Sequence, residues 1–233
     1  TVQPLGEIGA LCRERGVLLH TDAAQATGKV PIDVDAMHID LLSISGHKLY
    51  APKGIGALYV RRRPRARLIA EMSGGGQERG LRSGTLAPAL IVGLGLACEI
   101  SGSEMDAEAD RLIALRTRML DALRAGAADL FVNGSMTARV PGNLNVGFPG
   151  IDAEALMAAL DDVAISTGSA CTSASVEPSY VLRALGLDDA AARASVRIGL
   201  GRFTTEGEID HAAARIVATV NALRNESAPA AAQ

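Results

Sequence analysis

Ser43-Ile44-Ser45-Gly46-His47-Lys48-Leu49-Tyr50-Ala51-Pro52-Lys53-Gly54 gathers hydroxyl groups, an imidazole and a lysine into one turn. The apolar run Leu41-Leu42-Ser43-Ile44 feeds straight into it, and a second run, Ala57-Leu58-Tyr59-Val60, follows the glycines that leave it. Both runs have the length and the flanking turn residues of strands. A lysine held at a strand end beside Ser45 and His47 can be desolvated, lose its proton and condense with an aldehyde. An ordinary lysine on a surface loop is the competing reading of this stretch alone. Its neighbours along the chain decide between the two.

Upstream, Leu5, Ile8, Leu11 and Cys12 share one face of a helix that Pro4 starts and Gly16 stops, which makes Cys12 a small buried hydrophobe. Val17-Leu18-Leu19-His20-Thr21 then reads as a short strand that ends in Asp22. In open α/β sheets ligands sit at the carboxyl ends of strands. Asp22 lies at one such end and Lys48 at the next, with Asp40 opening the second strand. An acid and a lysine on neighbouring strand ends suit pyridoxal phosphate (PLP), because the carboxylate keeps the pyridine nitrogen protonated and the ring a better electron sink. Gln25, three residues past Asp22, suits a hydrogen bond to the ring hydroxyl oxygen. The plainer use of Asp22 is as a cap before Ala23-Ala24.

Downstream, Arg61-Arg62-Arg63-Pro64-Arg65-Ala66-Arg67 carries five Arg in seven positions and reads as a solvated loop. Together those charges suit an acidic protein partner. Nucleic acid is the poorer fit, because no aromatics interleave with them. The run from Ser73 to Thr85 holds five Gly in thirteen residues, which lets backbone N–H groups approach a phosphate, with the Thr85 hydroxyl just ahead of an apolar helix from Ala87 to Ile100. Cys98 packs inside that helix.

From Ser103 the texture becomes Ala-rich and helical. Ser103 caps a helix that puts Met105, Leu112, Leu115, Met119 and Leu123 on one face and ends at Gly126. Strands follow at Leu130 to Val132, Asn143 to Phe148 and Ser195 to Leu200, with a helix from Ala153 to Leu160. A last helix opens with Thr205-x-x-Glu208 and buries Ile209, Ile216, Val217 and Val220. The expected division is residues 1–104, 105–226 and a disordered tail at 227–233.

A chain of 233 residues with 48% apolar but only 3% aromatic side chains can bury a core, built from Ala, Leu, Val and Ile. Its net charge of −3 gives no general pull toward nucleic acid or anionic lipid. Apolar runs fall short of a membrane span, and no signal peptide is visible. Three cysteines with no C-x-x-C pair suggest neither a disulfide framework nor a zinc site, so a cytoplasmic setting is expected. Cys171 differs from the other two. It sits in Ser166-Thr167-Gly168-Ser169-Ala170-Cys171-Thr172-Ser173-Ala174-Ser175, a run of small residues with no apolar face to bury it. An exposed thiol there suits use as a nucleophile.

At this point the chain resembles the cysteine desulfurases, PLP enzymes of fold type I. The resemblance rests on His20-Thr21-Asp22-Ala23-Ala24-Gln25, Ser45-Gly46-His47-Lys48, the Gly74 to Thr85 run, Ser169-Ala170-Cys171-Thr172-Ser173, Glu177-Pro178-Ser179-Tyr180-Val181-Leu182-Arg183-Ala184 and Gly201-Arg202-Phe203-Thr204-Thr205. These separated motifs in one order span nearly the whole chain, and the long loop around Cys171 is similar to the IscS/NifS branch. The resemblance implies an α/β fold of the aspartate aminotransferase type. Part of the large domain, with a mixed, mostly parallel sheet, would be joined to a smaller α/β C-terminal domain.

It also implies roles. Lys48 would bind PLP covalently and act as acid and base at the substrate Cα. Asp22 would pair with the pyridine nitrogen and Gln25 with the ring oxygen. Ser45 and His47 would hold the phosphate, and Thr85 would reach the partner subunit's phosphate in a homodimer. Arg197 would hold the substrate carboxylate, and Cys171 would take sulfur from L-cysteine, leaving L-alanine and a persulfide. That sulfur would go to acceptor and iron–sulfur scaffold proteins, for iron–sulfur cluster assembly and thio-cofactor synthesis. No resident metal is implied; a transient iron–sulfur or metal contact at Cys171 is the one metal encounter expected. The alternatives are another PLP enzyme of this fold, such as an aminotransferase or selenocysteine lyase, or a non-catalytic partner-binding fragment. The family pattern also has cofactor motifs upstream of Thr1. The chain is therefore expected to be the C-terminal part of such an enzyme, weak in PLP binding and inactive without a companion segment.

Overall fold

The structure, a computed structural model, describes residues 1–63, 66–167 and 178–227. The chain divides into two compact units, Val2–Ala107 and Glu108–Gln233, the second including Thr1. Among the described residues no helix is long and apolar enough to cross a membrane.

The first unit opens with α1 (Leu5–Glu14). Gly16, at φ +64°, ends it in a Schellman motif: the Gly16 N–H donates to the Arg13 carbonyl and the Val17 N–H to the Cys12 carbonyl. Leu11 is 52% exposed and Cys12 only half-buried, so the face expected from the spacing packs along part of its width. The first sheet has the order β1 (His20–Asp22), β2 (Leu41–Ser45), β3 (Gly56–Val60). β1 pairs parallel to β2 and β3 antiparallel to it, a mixed sheet. β1 starts three residues later than the apolar run from Val17 suggests. Its partner's ladder begins only at Leu41, opposite His20, which leaves Val17 and Leu18 more than half exposed ahead of the pairing.

Arg61, just past β3, corrects the expectation of a solvated arginine run. It is buried, its Nε donates to the Ile39 carbonyl at 3.0 Å, and its guanidinium also donates to the Val34 carbonyl. Asp35 (2.5 Å) and Asp40 (3.4 Å) supply the counter-charges. Arg62, Arg63 and Arg67 are exposed, as expected of the run.

A single helix, α2 (Pro88–Gly126), replaces the two expected on either side of Ser103, and the boundary between the units falls within it. The Ser103 hydroxyl donates back to the Ile100 carbonyl at 3.0 Å and so caps nothing. Cys98 is exposed rather than packed. The buried stripe of this part of α2 runs through Ala97 and Ser101, one turn apart, and the next residue points about 100° away from it.

In the second unit, β4 (Phe131–Val132), β5 (Asn143–Gly147) and β6 (Ser195–Gly199) form an antiparallel sheet in that order. Leu144, Val146, Val196 and Ile198 turn inward against Leu112, Leu115, Met119 and Leu123 of α2, as the helical spacing predicts. Among the described residues, α3 (Ala153–Ala159), α4 (Tyr180–Ala184) and α5 (Asp189–Arg193) lie between β5 and β6 in sequence. The last helix, α6 (Glu206–Ser227), buries Ile209, Ile216 and Val220 in the same core.

Thr205 and Glu208 close the capping box read from the sequence. The Thr205 N–H donates to Glu208 Oε2 at 2.8 Å, and the Glu208 N–H donates to Thr205 Oγ1 at 3.3 Å. Thr205→Ala removes the hydroxyl half of this exchange. It is expected to destabilise the protein by about 1 kcal/mol, read as a lower denaturant midpoint at unchanged slope. A midpoint equal to the native one would mean that the box adds nothing to stability.

Candidate active site

Because β1 and β2 run parallel, their carboxyl ends lie together, and these ends carry Asp22 and Ser45. Side chains alternate along a strand, and residues in register share a face. The pairings Asp22↔Ser43 and Ser45↔Gly56 therefore place His20, Asp22, Ser43 and Ser45 on one face of the sheet. Leu42, Ile44 and Tyr59 take the other and pack with Ala23 and Ile39. The polar face is internally bonded: His20 Nε2 and Ser43 Oγ lie 2.9 Å apart. Sequence reading missed this pair, although the Ser43-x-Ser45 alternation was there to show it.

Lys48 sits on a 3-10 turn, Gly46–Leu49, directly after β2. The turn is fixed at both ends. The Gly46 N–H donates to the Ile55 carbonyl at 2.9 Å, and a Cβ at Gly46 would stand 2.8 Å from that same oxygen, so glycine is required there. Leu49 and Ala51 are buried against Ala97 of α2. Tyr50 closes the turn in the left-handed region, at φ +66°. Between these anchors His47 and Lys48 are exposed, and the Lys48 ammonium makes no hydrogen bond or ion pair among the described residues. Ser45 Oγ lies 3.3 Å from His47 Nδ1.

Asp22 Oδ1 accepts from the Ala24 N–H at 2.9 Å, which holds the carboxylate at the strand end. Gln25 Oε1 accepts from Lys29 at 3.3 Å. Thr85 is exposed in the loop before α2 and makes no hydrogen bond to these groups among the described residues. The glycine-rich segment ahead of it is closed by the Met72↔Arg82 bridge and by Gln77, whose Oε1 accepts from the Gly84 N–H at 3.1 Å. Its turns need positive φ at Gly74, Gly76, Gly80 and Gly84.

Arg197 lies on β6 in the second unit. Its backbone exchanges two hydrogen bonds with Ser166, the last residue but one before the undescribed stretch 168–177. Cys171 falls in that stretch, outside the described residues. Sequence reading gave no role to Arg111 or Glu108, which fix the turn after β6. Arg111 donates to the carbonyls of Gly201, Arg202 and Thr204, and Glu108 pairs with Arg202 at 2.6 Å.

The donor set fits PLP. An exposed amine is available to a carbonyl carbon, a carboxylate at the next strand end suits a protonated ring nitrogen, and a hydroxyl and an imidazole beside the lysine suit a phosphate. This lysine turn at the carboxyl ends of a parallel pair defines an α/β protein of the PLP fold type I class.

Comparison with known proteins agrees. The aminotransferase class-V family model matches residues 1–211, and the chain belongs to that family. It is 58% identical over 226 residues to the cysteine desulfurase IscS of Anaeromyxobacter sp. (strain Fw109-5), covering 97% of this chain and 56% of that one. It is 57% identical over 227 residues to the cysteine desulfurase IscS of Pseudomonas aeruginosa (strain LESB58), with the same two coverages. Among solved structures it superimposes on a NifS-like protein with a TM-score of 0.83 at 31% identity, covering 95% of this chain and 57% of that one. It also superimposes on SspA in complex with cysteine, with a TM-score of 0.69 at 40% identity, covering 88% and 56%. The chain thus spans a little over half the length of the relatives it matches.

Proposed function

We propose that the protein to which this chain belongs is a cysteine desulfurase. It would convert L-cysteine to L-alanine and pass the sulfur, through a persulfide on Cys171, to acceptor and scaffold proteins of iron–sulfur cluster assembly and thio-cofactor synthesis. The reading is carried by Lys48, exposed on an anchored turn beside the Asp22 strand end, in a chain 58% identical to a protein of that name. A solved relative bound to cysteine supports the substrate.

When bound, PLP supplies an electron sink for charge that develops at the substrate Cα. The side chains of this chain do the rest. Asp22 keeps the ring nitrogen protonated and Gln25 holds the ring oxygen. Ser45 and His47 hold the phosphate, and Thr85 serves the partner's phosphate in a homodimer. Lys48 would hold the cofactor, and its amine would accept the proton from the substrate Cα. Arg197 takes the substrate carboxylate in a two-pronged hydrogen bond. Cys171, as thiolate, attacks the sulfur of L-cysteine. An S–S bond forms and the S–Cβ bond breaks, its electron pair staying with carbon. Protonation at carbon gives L-alanine, while the enzyme thiol is oxidised to persulfide as the substrate carbon is reduced. No outside oxidant is needed. A reducing cytoplasm suits a protein whose described cysteines, Cys12 and Cys98, are both unbridged.

The test is stoichiometric. Full-length protein loaded with PLP and given L-cysteine should release one alanine per sulfur captured, and thiol mapping should find the extra sulfur on Cys171. Alanine without sulfur on Cys171 would point to a lyase or aminotransferase of the same fold. A protein that neither takes up PLP nor makes alanine would be a partner-binding module.

A further inference from the structure

The second sheet has a polar row across β5, β6 and the residue that follows β4, on the face opposite its core. The face follows from alternation: Val132, Val146 and Val196 turn toward the core, so Asn133, Asn145 and Arg197 turn away from it. Asn145 stands directly opposite Arg197. The kind of pairing follows from the backbone. Arg197 directs both its N–H and its carbonyl to Ser166, and Asn145 directs its carbonyl to the Asn133 N–H at 3.0 Å. Asn145 and Arg197 therefore form a non-hydrogen-bonded pair, in which opposed side chains approach most closely, with Cα atoms about 4.5 Å apart.

The polarity of the Asn145 amide is set by a chain of hydrogen bonds that starts at the Ala191 carbonyl. The Ala191 carbonyl only accepts, so the Ser195 hydroxyl bonded to it at 2.8 Å must donate. Ser195 then accepts from Asn133, whose Nδ2 lies 2.9 Å away, and the same NH2 group donates to Asn145 Oδ1 at 2.6 Å. Asn133 and Ser195 are both buried, which holds the chain of bonds in place. Asn145 thus turns its oxygen toward β4 and leaves its NH2 group on the side of β6. Neither that NH2 nor the Arg197 guanidinium has a hydrogen-bond acceptor among the described residues. Two donors side by side on a sheet face call for an acceptor that the described residues do not supply.

Resting on the desulfurase reading, we propose that Asn145 shares with Arg197 the grip on the substrate carboxylate, one oxygen taking the Asn145 amide hydrogen while the guanidinium spans the group. Asn133 and Ser195 are positioning residues for that amide.

The test uses the full-length holoenzyme and an equilibrium readout. The visible spectrum of the cofactor is titrated with the product L-alanine and with L-alaninamide, which lacks the carboxylate. Asn145→Ala is expected to weaken L-alanine binding about 10- to 100-fold, the range for a hydrogen bond to a charged group, and to change alaninamide binding less than about threefold. Asn145→Asp keeps the acceptor for Asn133 but sets a like charge beside the carboxylate, and is expected to weaken L-alanine further. Equal losses for both ligands, or no loss of L-alanine binding in either variant, would overturn the proposal. If Asn145→Ala does not fold, Asn145→Asp alone decides it. If native protein makes no alanine from cysteine and its spectrum ignores L-alanine, the desulfurase reading fails and takes this one with it. Native binding of L-alanine that survives both variants defeats only this inference.

Discussion

Lys48→Ala is expected to leave the full-length protein without the visible absorbance of covalently held cofactor after dialysis, and to lower alanine formation by on the order of 10³-fold or more. Two losses would coincide, because under the proposed function the amine that anchors PLP is also the base that accepts the Cα proton. The fold should not suffer. Lys48 is exposed and makes no bond among the described residues, whereas the turn is held by Gly46, Leu49 and Ala51, which the substitution leaves alone. Stability should therefore stay within about 0.5 kcal/mol of native, as for other surface substitutions. Cys171→Ala separates anchoring from sulfur transfer. It should retain the absorbance and lose the persulfide together with alanine formation. Full cofactor retention and turnover in Lys48→Ala would sink the assignment of the lysine, whatever Cys171 does.

The parts of the site that were legible in the sequence are those set by short-range rules. Lys48 and Asp22 stand at carboxyl ends of strands because an apolar run leads into each, and one parallel pairing brings those ends together. The helix stop at Gly16 and the helix opening at Thr205-x-x-Glu208 rest on local hydrogen-bond exchanges, so the sequence alone predicts where those helix ends fall. What failed to show depends on distant partners. Val17 and Leu18 have strand character, but the partner strand begins only at Leu41, opposite His20, and offers them no ladder. Ser103 after Gly102 has the look of a helix start. Buried residues on both sides of it, Ala97 and Ser101 before and Leu112 and Leu115 after, hold α2 helical against that local signal, at a cost of about 1 kcal/mol for the interior glycine. Asn145 was hidden inside an apolar run. The alternation Asn143-Leu144-Asn145-Val146 already sorts polar from apolar faces, yet nothing local says that Arg197 lies across from it.

Arg61 is the sharpest case of tertiary context, and Arg61→Ala is expected to destabilise the protein by about 3–5 kcal/mol. In sequence it is the first of a cluster of arginines; in the fold its side chain is 9% exposed. Its Nε serves the Ile39 carbonyl, its terminal nitrogens serve Val34 and Asp35, and Asp40 lies 3.4 Å away with its own side chain 12% exposed. Hydrogen bonding to Asp35 raises the pKa of the guanidinium, so the charge is fixed at every pH of interest. Truncation leaves the Asp40 carboxylate with the Leu19 N–H at 2.9 Å but no cation among the described residues, and strips the Ile39 carbonyl of the Arg61 donor, while the Val34 carbonyl keeps the Ile39 N–H at 3.0 Å. Asp40 immediately precedes β2, the strand that ends at Ser45, so the damage starts in the scaffold of the lysine turn. Lys in place of Arg should recover little, because a single ammonium cannot reach carbonyls and carboxylates in several directions at once. Asp35→Asn should cost under about 1 kcal/mol, since Asp35 is 81% exposed and water screens its charge. The diagnostic variant is Arg61→Met with Asp40→Asn. Removing both charges should cost less than Arg61→Ala alone, because the penalty lies mainly in the stranded carboxylate. Equal urea midpoints for Arg61→Ala and the exposed Arg62→Ala would show that Arg61 is as solvated as its neighbours.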